Sequence, residues 1–578
     1  ERIWEPTLPK TLSLAGVKYT VADDSHFVQA GIDRSNVRGY YTTEDEGHTV
    51  SVIPIDQHMR YAVPFQVPPK IMRYLRERFD RGDRSCCSLL DDGEKFGVWP
   101  GTYELLYTKE FWLDNFFKTL VENSSWLEVT TPIDYLNRFP SEGLVYMPTA
   151  SYFEMGQWTL NARDNMTLEN LKDDLNGSLQ DKTEVFVRGG YFRNFFSRYP
   201  ESNWMHKRMI QVSDKVHAAN LSGEDFDAAR AALGASQCNC GYWHGVFGGL
   251  YLPHLREALY KNMIKAEKLV DRRELACDCY DIDKNGVDEI ILRNSKLAAY
   301  FSTTDGGSLV ELDYLPTESN LGNTLARREE AYHHIKEEPA AATADADSAN
   351  IHDLKREIKA EDRKILVYDS YPRNAFREHF FSADADTSAE MLLLNSEQEY
   401  GDAATAPRMP QISEKSDAIE LLLHGNTSVQ NGTLAIEKKI RLEKGSSALL
   451  AAYTLKWNGQ HPTSLKFAVE FNLLAASALG IDTPFRVNGE TKDWRLLGIH
   501  DAENVKEAAL FDPHPNFDII ISCDRPAALA SFPVETISQS EAGFDRNYQA
   551  SSLWFTWRID MNPHEDVRLN VELKIIER

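Results

Sequence analysis

The chain has 578 residues, 42% of them hydrophobic and 11% aromatic, which is too long for one hydrophobic core and predicts about two to four domains. Its formal net charge of −25 argues against nucleic acid and anionic membranes as partners, because both require a basic face. No run approaches the roughly 20 apolar residues of a membrane helix. The seven cysteines form no disulfide framework, which favours the cytoplasm.

The first 150 residues alternate between two kinds of run. The strand-like runs are VKYTVADD, HTVSVIPI, CCSLLDD and EGLVYMP, and the helical runs are PPKIMRYLRERFDRG and FWLDNFFKTLVENS. This alternation predicts a parallel α/β fold or barrel. Two strand-like runs end in acid pairs, Asp23/Asp24 and Asp91/Asp92. Polar residues at the carboxyl ends of barrel strands lie where such folds place their chemistry.

The next region changes its periodicity. Between about 160 and 270, runs such as FRNFFSRYPESNWMHKRMIQVSDKV repeat apolar residues at three and four, which predicts a helical layer. After about 275, DEIILRNSKLAAYFSTTDGGSLVELDYL is strand-like, and EEPAAATADADSAN has the composition of a linker. Alternating runs such as TLAIEKKIRLEKGSSALLAAYTLKW and VRLNVELKII then predict a large antiparallel β-sandwich.

The run DIDKNGVDE, at 281–289, could surround a calcium ion with oxygen atoms. The candidate ligands are Asp281, Asp283, Asn285 and Asp288. Position twelve of the loop is Leu292 rather than a bidentate Glu, so a solvated turn into the strand EIIL is the alternative. A structural calcium ion and a simple turn both remain open.

Two blocks carry a family resemblance. ERIWEPTLPKTLSLAGVKYTVADDSHF, at 1–27, and LLDDGEKFGVWPGTYE, at 89–104, resemble signature blocks of glycoside hydrolase family 57, in its 4-α-glucanotransferase and α-amylase branch. Further blocks follow in the same order, among them MPTASYFEMGQW, WMHKRMIQVS, QCNCGYWHGVFGGLYLPHLR and KILVYDSYPRNAFREHF. The resemblance therefore covers nearly the whole chain.

The resemblance also implies a fold. Family members carry a His-x-Pro motif on a first barrel strand, upstream of the first block, and the N-terminus here has no match to it. We therefore expect a multidomain α/β plus all-β protein, an N-terminally truncated and incomplete (β/α)7 barrel with a helical layer, followed by the β-sandwich. An incomplete barrel would not hold its catalytic groups in place, so we expect negligible glucan transfer by this chain alone.

Five segments are predicted from these patterns. They are the barrel part at 1–160, a helical region completing the active-site cleft at 161–275, a β-rich connection at 276–335, a linker or insertion at 336–360, and the C-terminal β-sandwich at 361–578.

Retaining glycoside chemistry needs two carboxyl groups about 5 to 5.5 Å apart. The resemblance implies that Glu1, which opens E-R-I-W-E-P, is the nucleophile, and that Asp92 of D-G-E is the general acid/base. The run DDGE could instead cap a helix N-terminus. For Asp91 three roles stay open: raising the pKa of Asp92 by like-charge repulsion, hydrogen bonding to substrate, or capping.

Further residues are candidates for binding sugar, because a pyranose stacks on aromatic rings and presents hydroxyls to polar groups. Core packing is the alternative for each ring, and a structural role is the alternative for each histidine. The candidate set is Asp24, His26, Asp91, Trp99, Tyr242, Trp243 and His244.

The function implied is a 4-α-glucanotransferase that holds a glycosyl group on Glu1 and passes it to another glucan. An α-amylase, which passes the group to water, is the first alternative, and a catalytically dead glucan-binding protein is the second. The expected partners are maltooligosaccharides, starch or glycogen, with neither nucleic acid nor membrane, and a homodimer is a candidate assembly. No cofactor is expected beyond the candidate structural calcium.

Overall fold

The computed structural model describes residues 2–81, 86–334, 358–396, 398–430, 432–475, 483–540 and 543–578, with the backbone alone for 176–184. Within this described part, no helix is both long and apolar enough to span a bilayer.

The N-terminal region is an α/β unit around a three-stranded sheet with the order β1-β3-β2. Its strands are β1 (Tyr19–Asp23), β2 (Tyr41–Asp45) and β3 (His48–Ile55), and its helices are α1 (Leu8–Leu14), α2 (Asp24–Gln29), α3 (Gln57–Ala62), α4 (Pro68–Asp80), α5 (Trp112–Glu122) and α6 (Pro132–Arg138). β1 and β3 are parallel and in register from Tyr19 opposite Ser51 to Asp23 opposite Ile55. The residues that follow the two strands therefore meet at one edge of the sheet.

Two of the four strand-like runs of this region form strands, and two do not. CCSLLDD contacts the sheet through the Ser88 carbonyl, which accepts a hydrogen bond from the Asp56 amide at 3.1 Å. EGLVYMP contributes an isolated bridge between Leu144 and Thr42. CCSLLDD forms no strand because its side chains bond outside a sheet: Cys87 donates to Asp56, and Asp91 accepts from Lys95. The side chains of this run therefore do not alternate between the two faces of a sheet.

The helical layer follows, with α7 (Phe153–Trp158), α8 (Ala162–Phe186), α9 (Asn194–Arg198), α10 (Pro200–Ala218), α11 (Gly223–Ala235) and α12 (Pro253–Val270). A buried ion cluster joins it to the next sheet. Arg208 of α10 donates to Glu311 at 2.9 Å and to Glu267 of α12 at 3.1 Å. Removing one member of such a cluster would leave an uncompensated buried charge, so this cluster fixes how the helices and sheet dock.

The remainder of the chain is antiparallel β structure. A five-stranded sheet has the order β4 (Leu275–Tyr280), β5 (Glu289–Asn294), β6 (Leu297–Phe301), β7 (Leu309–Tyr314) and β8 (Ser319–Asn320). A twelve-stranded sheet contains β9 (Arg377–Ser382), β10 (Met409–Glu414), β11 (Ala418–Val429), β12 (Gly432–Glu443), β13 (Ala448–Trp457), β14 (Thr463–Leu473), β15 (Pro484–Val487), β16 (Glu490–Arg495), β17 (His500–Asp512), β18 (Phe517–Ser540), β19 (Gly543–Met561) and β20 (Asp566–Glu577).

The two sheets share one hydrophobic core, with Leu292 and Phe301 from the smaller sheet and Phe467, Leu455 and Leu573 from the larger one. Two short helices, α13 (Ala360–Arg363) and α14 (Ala389–Leu393), accompany the larger sheet. The predicted order of an α/β region, a helical layer and a large antiparallel β domain is confirmed.

We predict that Phe467→Ala destabilises the β domain by about 3 to 5 kcal/mol, because it leaves a cavity in a packed aromatic cluster. Phe467 is fully buried, and its ring centroid lies 5.1 Å from that of Phe380 and 5.6 Å from that of Tyr453. Urea unfolding followed by circular dichroism at strand wavelengths would measure the change. Leu450→Ala, at a side chain that is 36% exposed, is the matched control. Equal midpoints for the two variants would contradict the assignment of this core.

Candidate active site

A cleft of about 870 Å³ opens at the edge where β1 and β3 end. On one side it is lined by acidic and basic residues that follow these strands, and on the other by aromatic residues of the helical layer. The residues that line the cleft include Arg2, Asp24, Asp56, Arg60, Asp91, Asp92, Lys95, Trp99, Trp158, Trp243 and Phe247. This is the position at which α/β folds place their chemistry.

Asp92 lies in this cleft with its side chain about half exposed. Arg60 donates from Nη2 to Asp92 Oδ2 at 2.8 Å. Asp92 precedes the short helix Gly93–Phe96, but its side chain makes no capping hydrogen bond to that helix. Arg60, a residue of α3, therefore holds the Asp92 carboxyl group in a position that is open to the cleft. A group that gives a proton to a bound ligand needs this access.

Asp91 is buried behind Asp92 and is paired with two cations. Lys95 Nζ donates to Asp91 Oδ2 at 2.8 Å, and Arg60 Nη1 lies 3.2 Å from Asp91 Oδ1. Burial raises the pKa of Asp91, and Lys95 partly offsets this rise. Burial also lowers the pKa of Lys95, against the opposing effect of Asp91. Because Asp91 is paired in this way, its like-charge effect on Asp92 is offset by Lys95 and Arg60.

Asp23 and Asp24 are adjacent, but their pKa values are shifted in opposite directions. Burial would raise the pKa of Asp23, but the Arg2 guanidinium, at 2.8 Å, together with His26 and the hydrogen bonds from Ser25, outweighs burial and holds that pKa below its usual range. Burial and then the charge of Asp23 raise the pKa of Asp24 to about 7, against the effect of Arg34 at 3.3 Å. Asp24 lines the cleft, so its carboxyl group can either donate a hydrogen bond to a ligand hydroxyl or accept one from it near neutral pH.

Two of the three predicted aromatic residues line the cleft. The Trp99 ring is partly exposed and stacks on Phe65 with a centroid distance of 6.5 Å. Trp243 is only 2% exposed and packs between Trp158, at 6.2 Å, and Phe247, at 4.7 Å, so core packing is its main role. Tyr242 is outside the lining set, because its hydroxyl donates to the Ser236 carbonyl at 2.7 Å inside the helical core.

The two predicted histidines are also outside the cleft lining. His26 is fully buried, and burial lowers its pKa to about 4. His244 is buried beside Tyr199, whose hydroxyl lies 2.6 Å from its Nε2 atom, and burial likewise lowers the pKa of His244 to about 4. Both imidazoles are therefore neutral at pH 7, and His244 supports the wall that carries Trp243.

Glu1 lies outside the described residues, so its separation from Asp92 stays a prediction. The next residue, Arg2, lines the cleft, and its guanidinium carbon lies 4.0 Å from the centroid of the Tyr152 ring. The backbone of Trp4 then bonds to Ala150. The described start of the chain is therefore anchored to the cleft wall.

Sequence reasoning missed several polar residues of the cleft, among them Arg2, Asp56, Arg60 and Lys95. Asp56 follows β3 as Asp24 follows β1, so the strand-end rule applied to HTVSVIPI points to it. Its side chain also caps α3 by accepting from the Met59 amide at 2.9 Å, which starts the helix that carries Arg60. The spacing of four between Asp91 and Lys95 is the signal for their pair.

The candidate calcium loop brings together a different set from the one predicted. Carboxylate oxygens of Asp281, Asp283 and Glu289 lie within 4.8 Å of one another, and Glu289 is buried. Asp288 is not in this group. Asn285 is part of the turn, because its Oδ1 accepts from the Val287 amide at 2.8 Å. Burial raises the pKa of Glu289 to about 7, and the nearby charges of Asp283 and Asp281 add to this rise.

Three family profiles match the chain. They are described as glycosyl hydrolase family 57, at residues 1–148; α-amylase/4-α-glucanotransferase, middle domain, at 190–270; and α-amylase/4-α-glucanotransferase, C-terminal, at 281–573.

Individual proteins match over most of their length. A 4-α-glucanotransferase of Thermococcus kodakarensis is 37% identical over 94% of this chain and 77% of the relative. Alpha-amylase 1 of Dictyoglomus thermophilum is 35% identical over 97% of this chain and 80% of the relative. The crystal structure of 4-α-glucanotransferase from Thermococcus litoralis superposes with a TM-score of 0.82 at 33% identity, over 99% of this chain and 80% of that one.

We predict that Asp24→Asn changes the pH dependence of stability. The folded protein keeps the Asp24 proton to about pH 7, whereas the unfolded chain releases it near pH 4, so Asp24 lowers stability progressively as pH rises through this window. Asparagine cannot ionise. The free energy of unfolding of the variant, relative to that of the wild type, should therefore rise with pH by at most about 1.4 kcal/mol per pH unit.

Calorimetric melting between pH 4.5 and 7.5 would measure this effect, with Asp114→Asn, at an exposed position of α5, as the control. If the melting temperatures of the wild type and of Asp24→Asn changed with pH in the same way, Asp24 would be ionised across the whole pH range.

Proposed function

Because the chain belongs to glycosyl hydrolase family 57, we propose that it is a retaining 4-α-glucanotransferase, which breaks an α-1,4-glucosidic bond and passes the glycosyl group to another glucan. The observation that carries the proposal is a single cleft lined by Asp92 and by the partly exposed tryptophans Trp99 and Trp158. An acid and a sugar-stacking surface are thereby combined at the carboxyl edge of the sheet.

In the proposed first step, Glu1 attacks the anomeric carbon, and the bond from that carbon to the leaving oxygen breaks. Asp92 gives its proton to the leaving oxygen, so one glucan fragment departs with a free 4-hydroxyl. In the second step, the Asp92 carboxylate takes the proton from the 4-hydroxyl of an acceptor glucan, and the acceptor oxygen displaces Glu1. Two displacements at one carbon retain its configuration.

Arg60 and Lys95 position the acid/base in this scheme. Lys95 Nζ donates to the Arg60 carbonyl at 2.6 Å as well as to Asp91, and Arg60 reaches both acids. The side chains of Asp91 and Asp92 are thereby tied to α3. A carboxyl group displaced by about 1 Å can lose about a hundredfold in rate, so such fixation contributes directly to turnover.

The cleft suits a neutral polyhydroxylated substrate. Several of its charged side chains form ion pairs, including Arg60 with Asp92 and Arg2 with Asp23. Trp99 and Trp158, which are partly exposed, provide apolar ring faces, and the carboxylates provide acceptors for hydroxyl groups. Transfer rather than hydrolysis is supported by the tryptophans, which favour a sugar acceptor over water. Relatives named α-amylase support hydrolysis as the second candidate.

The proposal extends to the partners and setting of the protein. With a net charge of −25, the chain suits neutral glucans such as maltooligosaccharides, starch or glycogen rather than nucleic acid or membranes. Seven cysteines, unpaired with one another, accord with the cytoplasm. A homodimer remains the proposed assembly. No cofactor takes part in the proposed chemistry.

We predict that a calcium ion stabilises the 281–289 loop through Asp281, Asp283 and Glu289. Adding calcium chloride to chelator-treated protein should raise its melting temperature, because a ligand that binds only the folded state stabilises it. Glu289→Gln should remove the rise, whereas Asp288→Asn, outside the cluster, should keep it. Equal melting temperatures with calcium and with chelator would identify the loop as a plain turn.

We predict that Asp92→Asn in the full-length protein lowers disproportionation of maltotriose by at least about a thousandfold, because the leaving sugar then receives no proton. An α-maltosyl fluoride needs no such proton, so its first-step rate should fall far less. Release of glucose with longer oligosaccharides measures transfer, and release of glucose with maltose measures hydrolysis. Asp114→Asn is the control for the substitution. Wild-type turnover of maltotriose by Asp92→Asn would remove Asp92 from the mechanism.

A further inference from the structure

Trp158 is the last residue of α7 and one of the partly exposed rings that line the cleft. Its backbone is held from the protein interior. Arg198 Nη1 donates to the Trp158 carbonyl at 2.8 Å, and Arg198 Nη2 donates to the buried Glu330 carboxylate at 2.5 Å. The Arg198 guanidinium therefore joins the end of α7 to a fixed carboxylate, so the Trp158 side chain starts from a fixed point.

Two aromatic neighbours limit where the Trp158 indole can lie. Its ring centroid is 6.0 Å from that of Tyr152, in an edge-to-face arrangement, and 6.2 Å from that of Trp243. Tyr152 and Trp243 are both buried. Because close-packed buried rings cannot move aside without opening the core, the cleft is the open side of the Trp158 indole.

Gly245, which follows Trp243 and His244 in the chain, contacts the same indole. A Cβ atom on Gly245 would lie 2.6 Å from Trp158 Cζ3 and 2.9 Å from both Cε3 and Cη2. All three atoms belong to the six-membered ring of the indole, and carbon atoms in good contact are about 3.5 to 4.0 Å apart. A side chain at position 245 would therefore overlap the indole where it now lies.

The backbone conformation of Gly245 does not itself require glycine. Its φ angle lies outside the left-handed region, which the chain adopts nearby at Gly248 and Gly249. The three atoms nearest to its Cβ position all belong to Trp158. The indole is thus what excludes a larger residue at position 245, although Gly245 does not itself line the cleft.

We propose that Gly245 is a positioning residue for glucan binding, because its missing side chain sets how the Trp158 ring lies in the cleft. The choice of ligand rests on the proposed function, which supplies an α-glucan as the substrate. A methyl group at position 245 would displace the indole by about 1 Å, the distance needed to restore normal carbon contacts. With Tyr152 and Trp243 behind it, the ring would move toward the cleft and no longer match the sugar face it stacks on.

The test is a double-mutant cycle in the full-length protein. Gly245→Ala adds the methyl group, Trp158→Leu removes the indole, and a third variant combines both changes. Gly234→Ala, at an exposed position of α11 where a Cβ atom has no neighbour within 4 Å, is the matched control. Trp158→Met repeats the cycle with a side chain that adapts to the vacated space.

Three measurements are made on each variant. Calorimetric titration with a thio-linked maltotetraose, whose sulfur bridges resist cleavage, gives the dissociation constant without turnover. Maltotriose kinetics give kcat and KM separately. Melting temperatures identify any variant that has not folded.

We expect Gly245→Ala to weaken binding of the thio-linked ligand and to raise KM by about tenfold, while kcat stays within about twofold, because ring stacking contributes to sugar binding and not to proton transfer. In the Trp158→Leu protein, the same substitution should change the dissociation constant by less than about twofold, because no indole remains to be displaced. Gly234→Ala should match the wild type.

Wild-type affinity in folded Gly245→Ala, or an equal loss of affinity when Trp158 is already leucine, would overturn the inference. Binding of the thio-linked ligand requires no turnover. A wild type that binds this ligand in a manner dependent on Gly245 but does not act on maltotriose would therefore contradict the proposed function and leave this inference standing.

Discussion

Two adjacent carboxylates in one cleft repel each other unless a proton or nearby cations compensate them, and in this protein Arg60 and Lys95 pair with Asp91 and Asp92. Lys95 bonds to Asp91 and to the Arg60 backbone, and Arg60 bonds to Asp91 and Asp92. Without these pairs, burial of Asp91 would carry a desolvation cost of several kcal/mol. The arrangement leaves Asp92 as the more exposed acid, which is the one that faces a substrate.

The rest of the architecture serves to place this cluster. The parallel register of β1 and β3 aligns Asp24 with Asp56, and Asp56 starts the helix that carries Arg60. The helical layer adds the tryptophan wall opposite the acids, and its buried Arg208 cluster fixes the layer to the β domain. The helical layer therefore connects the cleft wall to the β domain.

Much of this organisation was predictable, and the remainder depended on packing that no local pattern encodes. The strand-end rule located Asp24, because it depends only on where a strand stops, whereas the run before Asp91 and Asp92 forms no strand and these two acids were located by the family resemblance. Tyr242 and Trp243 are neighbours in sequence and both are buried in the core of the helical layer, yet only Trp243 reaches the lining of the cleft, a difference set by tertiary packing. Asp288 and Glu289 differ in the same way at the start of β5, where successive side chains take opposite faces.

The central claim is that a glycosyl group is held on Glu1 during turnover. A 5-fluoro-α-glucosyl fluoride forms the covalent intermediate quickly and slows its breakdown, so the loaded full-length protein can be digested and its peptides weighed by mass spectrometry. The account predicts a fluoroglucosyl adduct on the peptide that contains ERIWEPTLPK, with fragmentation placing it on Glu1. An adduct on a different carboxylate, or turnover of the reagent with inverted configuration and no adduct, would contradict it.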